Sequence, residues 1–247
     1  MAKGPELTVV MPAYNEGPRI GESLRVTCAV MEGLGKTFEI IVVDDGSGDW
    51  TQEEAQKAAL SLPQVRVLRV PINQGKGWAL KEGFRACEGE WVAFLDADLD
   101  LDPAQLRRFF EIQQETRADV VIGSKWHPES QVEYPLKRRI ISRGYYAMVK
   151  LLFGMPLRDT QTGLKIFRHE VLRQVFPKAL IKRYAIDLEL LVVAHHLGFT
   201  IAEAPVLLNY RPKFGHIGLK AIFNVAWDTA AVFYRLRIKR SYDRREA

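Results

Sequence analysis

The chain has 247 residues, 47% apolar and 26% charged, enough to bury a full core in one domain and ordinary for a globular protein, which excludes a disordered chain. Lys and Arg exceed Asp and Glu by five, and the excess is local: residues 211–247 carry nine basic and three acidic side chains. No nucleic-acid module accompanies that charge, so nucleic acid is not an expected partner, and two cysteines, Cys28 and Cys87, are too few for a disulfide scaffold and too far apart for a metal knuckle.

The N-terminal stretch MAKGPELTVVMPAYNEG has a short apolar run broken by Pro12, which predicts no signal peptide and a cytoplasmic location. Apolar, β-branched runs at Leu7 to Met11, Phe38 to Val43, Val65 to Val70, Trp91 to Leu95 and Asp119 to Ile122 read as buried strands. Helical patterns lie between them. Ile20, Leu24, Cys28 and Met31 keep three- and four-residue spacing, and TQEEAQKAALSL follows a capping candidate, Asp49. In LDPAQLRRFFEI, Asp102 as N-cap with Pro103 at the first helical position predicts a helix start. Strand alternating with helix implies one α/β domain, Rossmann-like, with a mostly parallel central sheet covered by helices on both faces. Beyond residue 160 the pattern is less regular, with strands expected at Leu164 to Arg168 and Thr200 to Val206.

Open parallel sheets bind ligands beyond the carboxyl ends of their strands. That places MPAYNEG, VDDGSGD and PINQGKGWAL, which follow the first three strands, on one crevice. Glycines 46, 48, 75 and 77 then permit close backbone approach to a ligand, and Asp44 and Asp45 are candidate acceptors for a ribose or base. Neither a dinucleotide fingerprint nor a P-loop is present, which disfavours NAD enzymes and P-loop ATPases. The fourth strand delivers FLDADLDLDP, with Asp96, Asp98, Asp100 and Asp102 at alternate positions. Carboxylates two residues apart beyond a strand end suit a hard divalent cation, Mg²⁺ or Mn²⁺, that shares its shell with substrate phosphates.

VMPAYNEG, IVVDDGSGD, NQGKGWALKEGF and FLDADLD, in this order and spacing, resemble the GT-A glycosyltransferases of the large inverting family that includes the polyprenyl-phosphate sugar synthases. VIGSKW, KRRIISRG, RDTQTGLKIF and YAIDLELL are similar to the dolichyl-phosphate mannose and dolichyl-phosphate glucose synthases, and the likeness covers roughly residues 6 to 220. NQGKG, DTQTGLK and the pattern at Tyr184 to Leu191 bring the glucose type nearer. The resemblance implies a GT-A domain, expected over residues 1–218, and the residues beyond it read as a basic amphipathic helix and tail over 219–247.

It also implies roles. Pro12, Ala13, Tyr14 and Glu16, with Asp44, frame the nucleoside; Asp45 and Lys76 join them at the donor site. Asp96 and Asp98 are the DXD pair that holds the cation against the donor diphosphate, and Asp100 stands where relatives place a further ligand. Lys125, Arg138 and Ser142 match positions that grip an acceptor phosphate, although relatives usually have arginine where Lys125 stands, and lysine loses bidentate geometry. Arg211 resembles a basic loop that closes over the donor diphosphate, without the usual ending of that motif, which leaves His216 and Lys220 without a role. Asp187 and Glu189 are open between a base for a hydroxyl acceptor, a support for the donor sugar and an acidic helix face. Asp159 is expected to hold its loop.

The expected reaction is metal-dependent, inverting transfer of a hexose from a nucleotide-sugar, UDP-glucose or GDP-mannose, to a polyprenyl phosphate at the cytosolic membrane face. A hydroxyl acceptor is the rival within the class, and a non-catalytic nucleotide-sugar binder the rival outside it. A nucleotidyltransferase should open with a Gly-rich loop where this chain has PAYNEG. Asp228 and Arg235 interrupt the C-terminal apolar run, so the chain is expected to attach peripherally. Leu219, Ile222, Phe223, Ala226, Ala230 and Phe233 form a helical stripe ending in Arg235, Arg237, Lys239 and Arg240, which suits either a membrane interface or packing on the domain. Tyr145, Tyr146, Met148 and Leu151 to Phe153 form a second apolar candidate surface. Oligomeric state is not legible.

Overall fold

A computed structural model describes residues 4–133, 136–183, 185–209 and 219–243, with the side chains of 133, 136–141, 209 and 219–222 outside that description. Strands β1 (Leu7–Ala13), β2 (Phe38–Asp45), β3 (Val65–Val70), β4 (Trp91–Phe94), β5 (Val120–Ser124), β7 (Lys165–Arg168) and β8 (Ile201–Pro205) form one sheet in the order β3-β2-β1-β4-β7-β5-β8. β1 to β4 are mutually parallel, and β5 pairs in parallel with β8. β7 runs antiparallel between β4 and β5. β6 (Gln131–Glu133) and β9 (Leu207–Asn209) make a separate parallel pair.

Alternation along each strand divides the core into two layers, because successive side chains point to opposite faces. Val9, Met11, Ile40 and Val42 face α1 (Ile20–Glu32), α2 (Thr51–Ala59) and α4 (Leu106–Thr116). Val10, Ile41, Val43 and Phe94 face α3 (Lys76–Arg85), α5 (Leu136–Phe153), α6 (His169–Val175), α7 (Ile186–His196) and α8 (Leu219–Phe233). Near-continuous apolar runs in β1 and β2 are therefore the signature of strands covered on both sides. Asp102 accepts the Ala104 amide at 2.8 Å with Pro103 behind it, so the expected cap forms, on a 3-10 turn that leads into α4. At α2, Asp49 accepts the Thr51 amide at 3.0 Å.

The C-terminal segment packs on the second layer. Val232 and Thr229 are buried, the Phe233 and Phe153 rings meet edge to face at 6.2 Å, and a π-helical turn, Tyr234–Ile238, follows. Arg235 from this turn donates to Glu189 Oε1 at 2.7 Å, and the Tyr242 hydroxyl donates to the same oxygen at 2.7 Å. The outward face carries Phe223 and Trp227, 66% and 68% exposed with stacked rings, together with Tyr234 and Ile238. The helix thus packs part of its apolar stripe on the domain and leaves part of it exposed. Tyr145 and Phe153 of the second candidate surface likewise turn inward, while Leu151 is 86% exposed. Among the described residues no helix is long and apolar enough to cross a membrane.

Candidate active site

Parallel pairing brings the carboxyl ends of β1, β2 and β4 to one edge, with Pro12 and Ala13 in register with Val43 and Asp44. Past Ala13 the chain turns at Asn15, whose φ of 55° is tolerated by asparagine better than by most residues. The Asn15 amide donates to Ser47 Oγ at 2.9 Å, and its Oδ1 accepts the Gly48 amide at 3.0 Å, so the first two loops are stitched together. Tyr14 is left 49% exposed on this edge. Glu16 pairs with Arg19 at 3.2 Å.

Asp44 and Asp45 are both buried, and both organise turns. Asp44 Oδ1 accepts the Ser47 amide at 3.1 Å, and its other oxygen lies 3.9 Å from Arg69 Nε. Asp45 uses both oxygens on the β3–α3 loop, accepting the Gln74 and Gly75 amides at 2.9 and 2.7 Å. The glycines of that loop serve the protein's own backbone. A Cβ on Gly75 or Gly77 would lie 2.6 Å from the carbonyl oxygen of Lys182 or Ile181, and the Lys182 oxygen accepts the Gly77 amide at 2.8 Å. The space that the sequence reserved for a ligand at residues 75 and 77 is filled by the 181–182 segment. At Gly46, φ 68°, a Cβ would meet the Asn73 amide nitrogen at 2.6 Å.

This packing delivers Lys76, the first residue of α3, to the aspartates. Its ammonium stands 2.8 Å from Asp96 Oδ1 and 3.4 Å from Asp187 Oδ2. Burial alone would lower the Lys76 pKa; the Asp187 and Asp96 carboxylates outweigh it and raise it above the ordinary lysine value. Asp187, in the first turn of α7, also holds Lys165 Nζ at 2.6 Å. Lys165 is 0% exposed, donates to the Thr162 carbonyl as well, and has a pKa lowered by burial against the opposing pull of Asp187. Four charges of alternating sign, Asp96, Lys76, Asp187 and Lys165, therefore run inward from the end of β4.

Asp98 Oδ1 accepts the Asp100 amide at 3.0 Å across Leu99, which adopts φ 49°. Among the described residues no three His, Cys, Asp or Glu side chains gather closely enough to hold a metal, so Asp96, Asp98 and Asp100 do not form a ready-made three-carboxylate cage. Their chemistry does fit Mg²⁺ or Mn²⁺, because one or two carboxylates, water and substrate phosphates are the usual shell of a hard cation. Gly163 abuts Asp96 so closely that a Cβ there would overlap Asp96 Oδ2, and a cationic group already sits on the opposite oxygen.

Lys125 Nζ lies 2.9 Å from Asp159 Oδ2, the oxygen that also accepts the Lys125 amide and the Thr162 hydroxyl. Asp159 thus holds the loop that carries Gly163, as expected. Ser142 lines a cavity of about 30 Å³ between α5 and residues 157–161, beside Trp126, Tyr145 and Tyr146. Arg138 lies in α5 with its side chain outside the described residues, and Arg211 lies outside them entirely, as do residues 134, 135, Tyr184 and His216. Sequence reasoning missed Lys165. A lysine opening an otherwise apolar strand run, LKIF, was the available signal. It also left Glu189 open between a base, a support for the donor sugar and an acidic helix face, and did not anticipate that the side chain is buried and accepts the Leu180 and Ile181 amides at 2.9 and 2.7 Å besides Arg235 and Tyr242.

Comparison with known proteins places this arrangement. Glycosyltransferase AglD of Haloferax volcanii is 35% identical over 214 residues, 86% of this chain, although the chain spans only 34% of that protein's length. Dolichyl-phosphate beta-glucosyltransferase ALG5A of Trichomonas vaginalis is 32% identical over 250 residues, covering 97% of this chain and 77% of that protein. Glucosyl-3-phosphoglycerate synthase from Mycobacterium tuberculosis, solved with Mn²⁺, UDP-glucose and phosphoglyceric acid, shares the fold with a TM-score of 0.67 at 20% identity, over 99% of this chain and 82% of that one. The family model described as glycosyl transferase family 2 matches residues 8–176, which contain every turn of the site from Tyr14 to Lys165, and the chain belongs to that family.

Proposed function

We propose that this chain transfers a hexose, with inversion, from a nucleoside-diphosphate sugar to a polyprenyl phosphate, the acceptor being of the dolichyl-phosphate class. The observation that carries the reading is the joining of Asp96 to Lys76 at the edge formed by the β1, β2 and β4 turns. Such an edge offers one acidic and one basic group to a metal–diphosphate unit. Support for the acceptor comes from the printed activity of the Trichomonas relative and from the basic run Lys137–Arg139 that opens α5. Glucose is the preferred sugar on the same ground, with UDP the preferred nucleotide because the structural relatives bind it.

Asp96 and Asp98 are the residues that would hold Mg²⁺ or Mn²⁺, and a bound cation would offset charge developing on the departing diphosphate. Lys76 adds a positive charge on the same side. Tyr14, beyond Pro12 and Ala13, offers an exposed ring against which a base can lie. Asp44 and Asp45 act by holding the loops on which the nucleoside rests. A phosphate acceptor is ionised near neutral pH and needs positioning rather than a base. Lys125, Arg138 and Ser142 are assigned that task, and Arg211 the closing of the donor site. Asp187 is a poor candidate base for a hydroxyl acceptor, since both of its oxygens are already engaged, one by Lys76 and one by Lys165.

The membrane would meet the exposed face of α8, where Phe223 and Trp227 are followed by Arg237, Lys239 and Arg240. The deciding experiment supplies the purified chain with UDP-glucose or GDP-mannose, Mn²⁺ or Mg²⁺, and a short-chain polyprenyl phosphate. Formation of a lipid-linked sugar monophosphate that stops on chelation is expected. Transfer to the free prenol but not to its phosphate would overturn the acceptor assignment.

A further inference from the structure

The four-charge ladder has a feature that donor binding alone does not explain. Lys76 is placed between two carboxylates, 2.8 Å from Asp96 and 3.4 Å from Asp187, and the second of these is already matched by the fully buried Lys165 at 2.6 Å. Lys76 thus has two seats within a small rotation of one flexible side chain. A divalent cation arriving at Asp96 meets an ammonium on the same carboxylate, and at that separation like charges repel strongly in a partly dry site. Either the ion stays out or Lys76 leaves for Asp187. A diphosphate arriving with the ion removes the conflict, because its negative charge accommodates both cations.

We propose that Lys76 is a built-in counter-ion of Asp96 that keeps free metal out of the site, and that Asp187, steadied by Lys165, is a positioning residue that receives Lys76 when metal and diphosphate enter together. This rests on the donor-site reading above and deepens it: the protein takes up the metal–nucleotide complex as a unit and discriminates against the bare ion. By linkage, the factor by which nucleotide strengthens metal binding equals the factor by which metal strengthens nucleotide binding, so the coupling is measurable from either side.

The test is direct titration of the full chain with Mn²⁺, followed by electron paramagnetic resonance of the free ion, without nucleotide and then with saturating UDP or GDP. In wild type, Mn²⁺ alone should bind weakly and nucleotide should strengthen it greatly. Lys76→Met should bind Mn²⁺ alone at least about tenfold more tightly, since the competing charge is gone, and its coupling factor should fall correspondingly. Lys76→Gln, which keeps a polar head on a similar stem, should behave as Lys76→Met does. Asp187→Asn removes the second seat, so Mn²⁺ alone should bind more weakly than in wild type; Asp187→Asn combined with Lys165→Met avoids an uncompensated buried lysine and should show the same change. A purely structural role for these residues would alter thermal stability without altering the coupling factor. If both Lys76 variants fold and bind bare Mn²⁺ no more tightly than wild type, the counter-ion proposal is wrong while the donor-site reading stands. If wild type takes up no Mn²⁺ even with nucleotide, both fail.

Discussion

Asp98 separates metal chemistry from turn geometry. Its Oδ1 accepts the Asp100 amide, and an asparagine can make the same hydrogen bond without the charge. Asp98→Asn should therefore leave stability within about 0.5 kcal/mol of wild type and lower sugar transfer by about 10²- to 10³-fold. Chemical denaturation and a transfer assay check the two halves, and a variant that keeps full turnover would remove Asp98 from the metal role. Asp159 tests the acid limb of stability. Burial pushes its carboxyl up, but Lys125 and the hydrogen bonds from Gln161, Thr162 and Lys125 hold it below the ordinary aspartate value of 3.8. A group whose pKa is lower folded than unfolded stabilises the protein above its unfolded value, and that contribution is lost as pH falls through the folded one. Wild-type stability should consequently decline below pH 3.8 more steeply than that of Asp159→Asn, and parallel acid limbs in urea unfolding would contradict the assignment.

Among the elements, α7 and the turn after α8 are joined through one buried carboxylate. Glu189 is fully buried and accepts two amides, one hydroxyl and the Arg235 guanidinium. The π-helical turn at Tyr234–Ile238 lies where Arg235 reaches inward. Arg235→Met leaves a buried carboxylate without its cation, which should cost about 3 kcal/mol or more, read from urea unfolding. A loss under 1 kcal/mol would mean that the amides and Tyr242 suffice. The same carboxylate holds Leu180 and Ile181, next to the carbonyls that meet Gly75 and Gly77, so α7 supports the N-terminus of α3 and hence Lys76. Gly77 can only be a residue without a Cβ here, because the atoms it would meet include backbone that cannot yield.

For the whole molecule, the seven-stranded sheet gathers the ends of β1, β2 and β4 at one edge, the donor edge of the reading proposed above, while α8 and the π-helical turn after it present Phe223, Trp227, Tyr234 and Ile238 outward on the second layer. Four large apolar side chains on one face, followed by exposed basic residues, match the composition of an interfacial helix. In the reading proposed above, Phe223→Ala with Trp227→Ala should lower partition onto anionic phospholipid vesicles by at least about tenfold, since each aromatic withdraws on the order of 150 Å² from water. Far-ultraviolet circular dichroism should be unchanged, because both rings are exposed. Equal cosedimentation of the variant and wild type would show that this face does not meet lipid.

Much of this was legible from the linear chain. β-branched runs covered on both faces, the Asp102–Pro103 helix start and the order of the turns after β1 to β4 are local or periodic features, and local features survive folding. Residue types also placed Asp96, Asp98 and Lys76 at one ligand edge, because the carboxyl ends of parallel strands lie together whatever the loops contain. The tertiary structure alone showed which side chains of those loops also hold the chain itself. Asp44, Asp45, Lys125 and the glycines at 75 and 77 carry ligand-like residue types, yet they hold turns and chain segments brought from up to about a hundred residues away. It alone reversed β7 within the sheet, buried Lys165 and Glu189, and divided the apolar residues of α8 between core and surface. The physical reason is that a charge's role depends on the opposite charges and amides around it, and those neighbours are chosen by packing between distant segments, for which a sequence has no period.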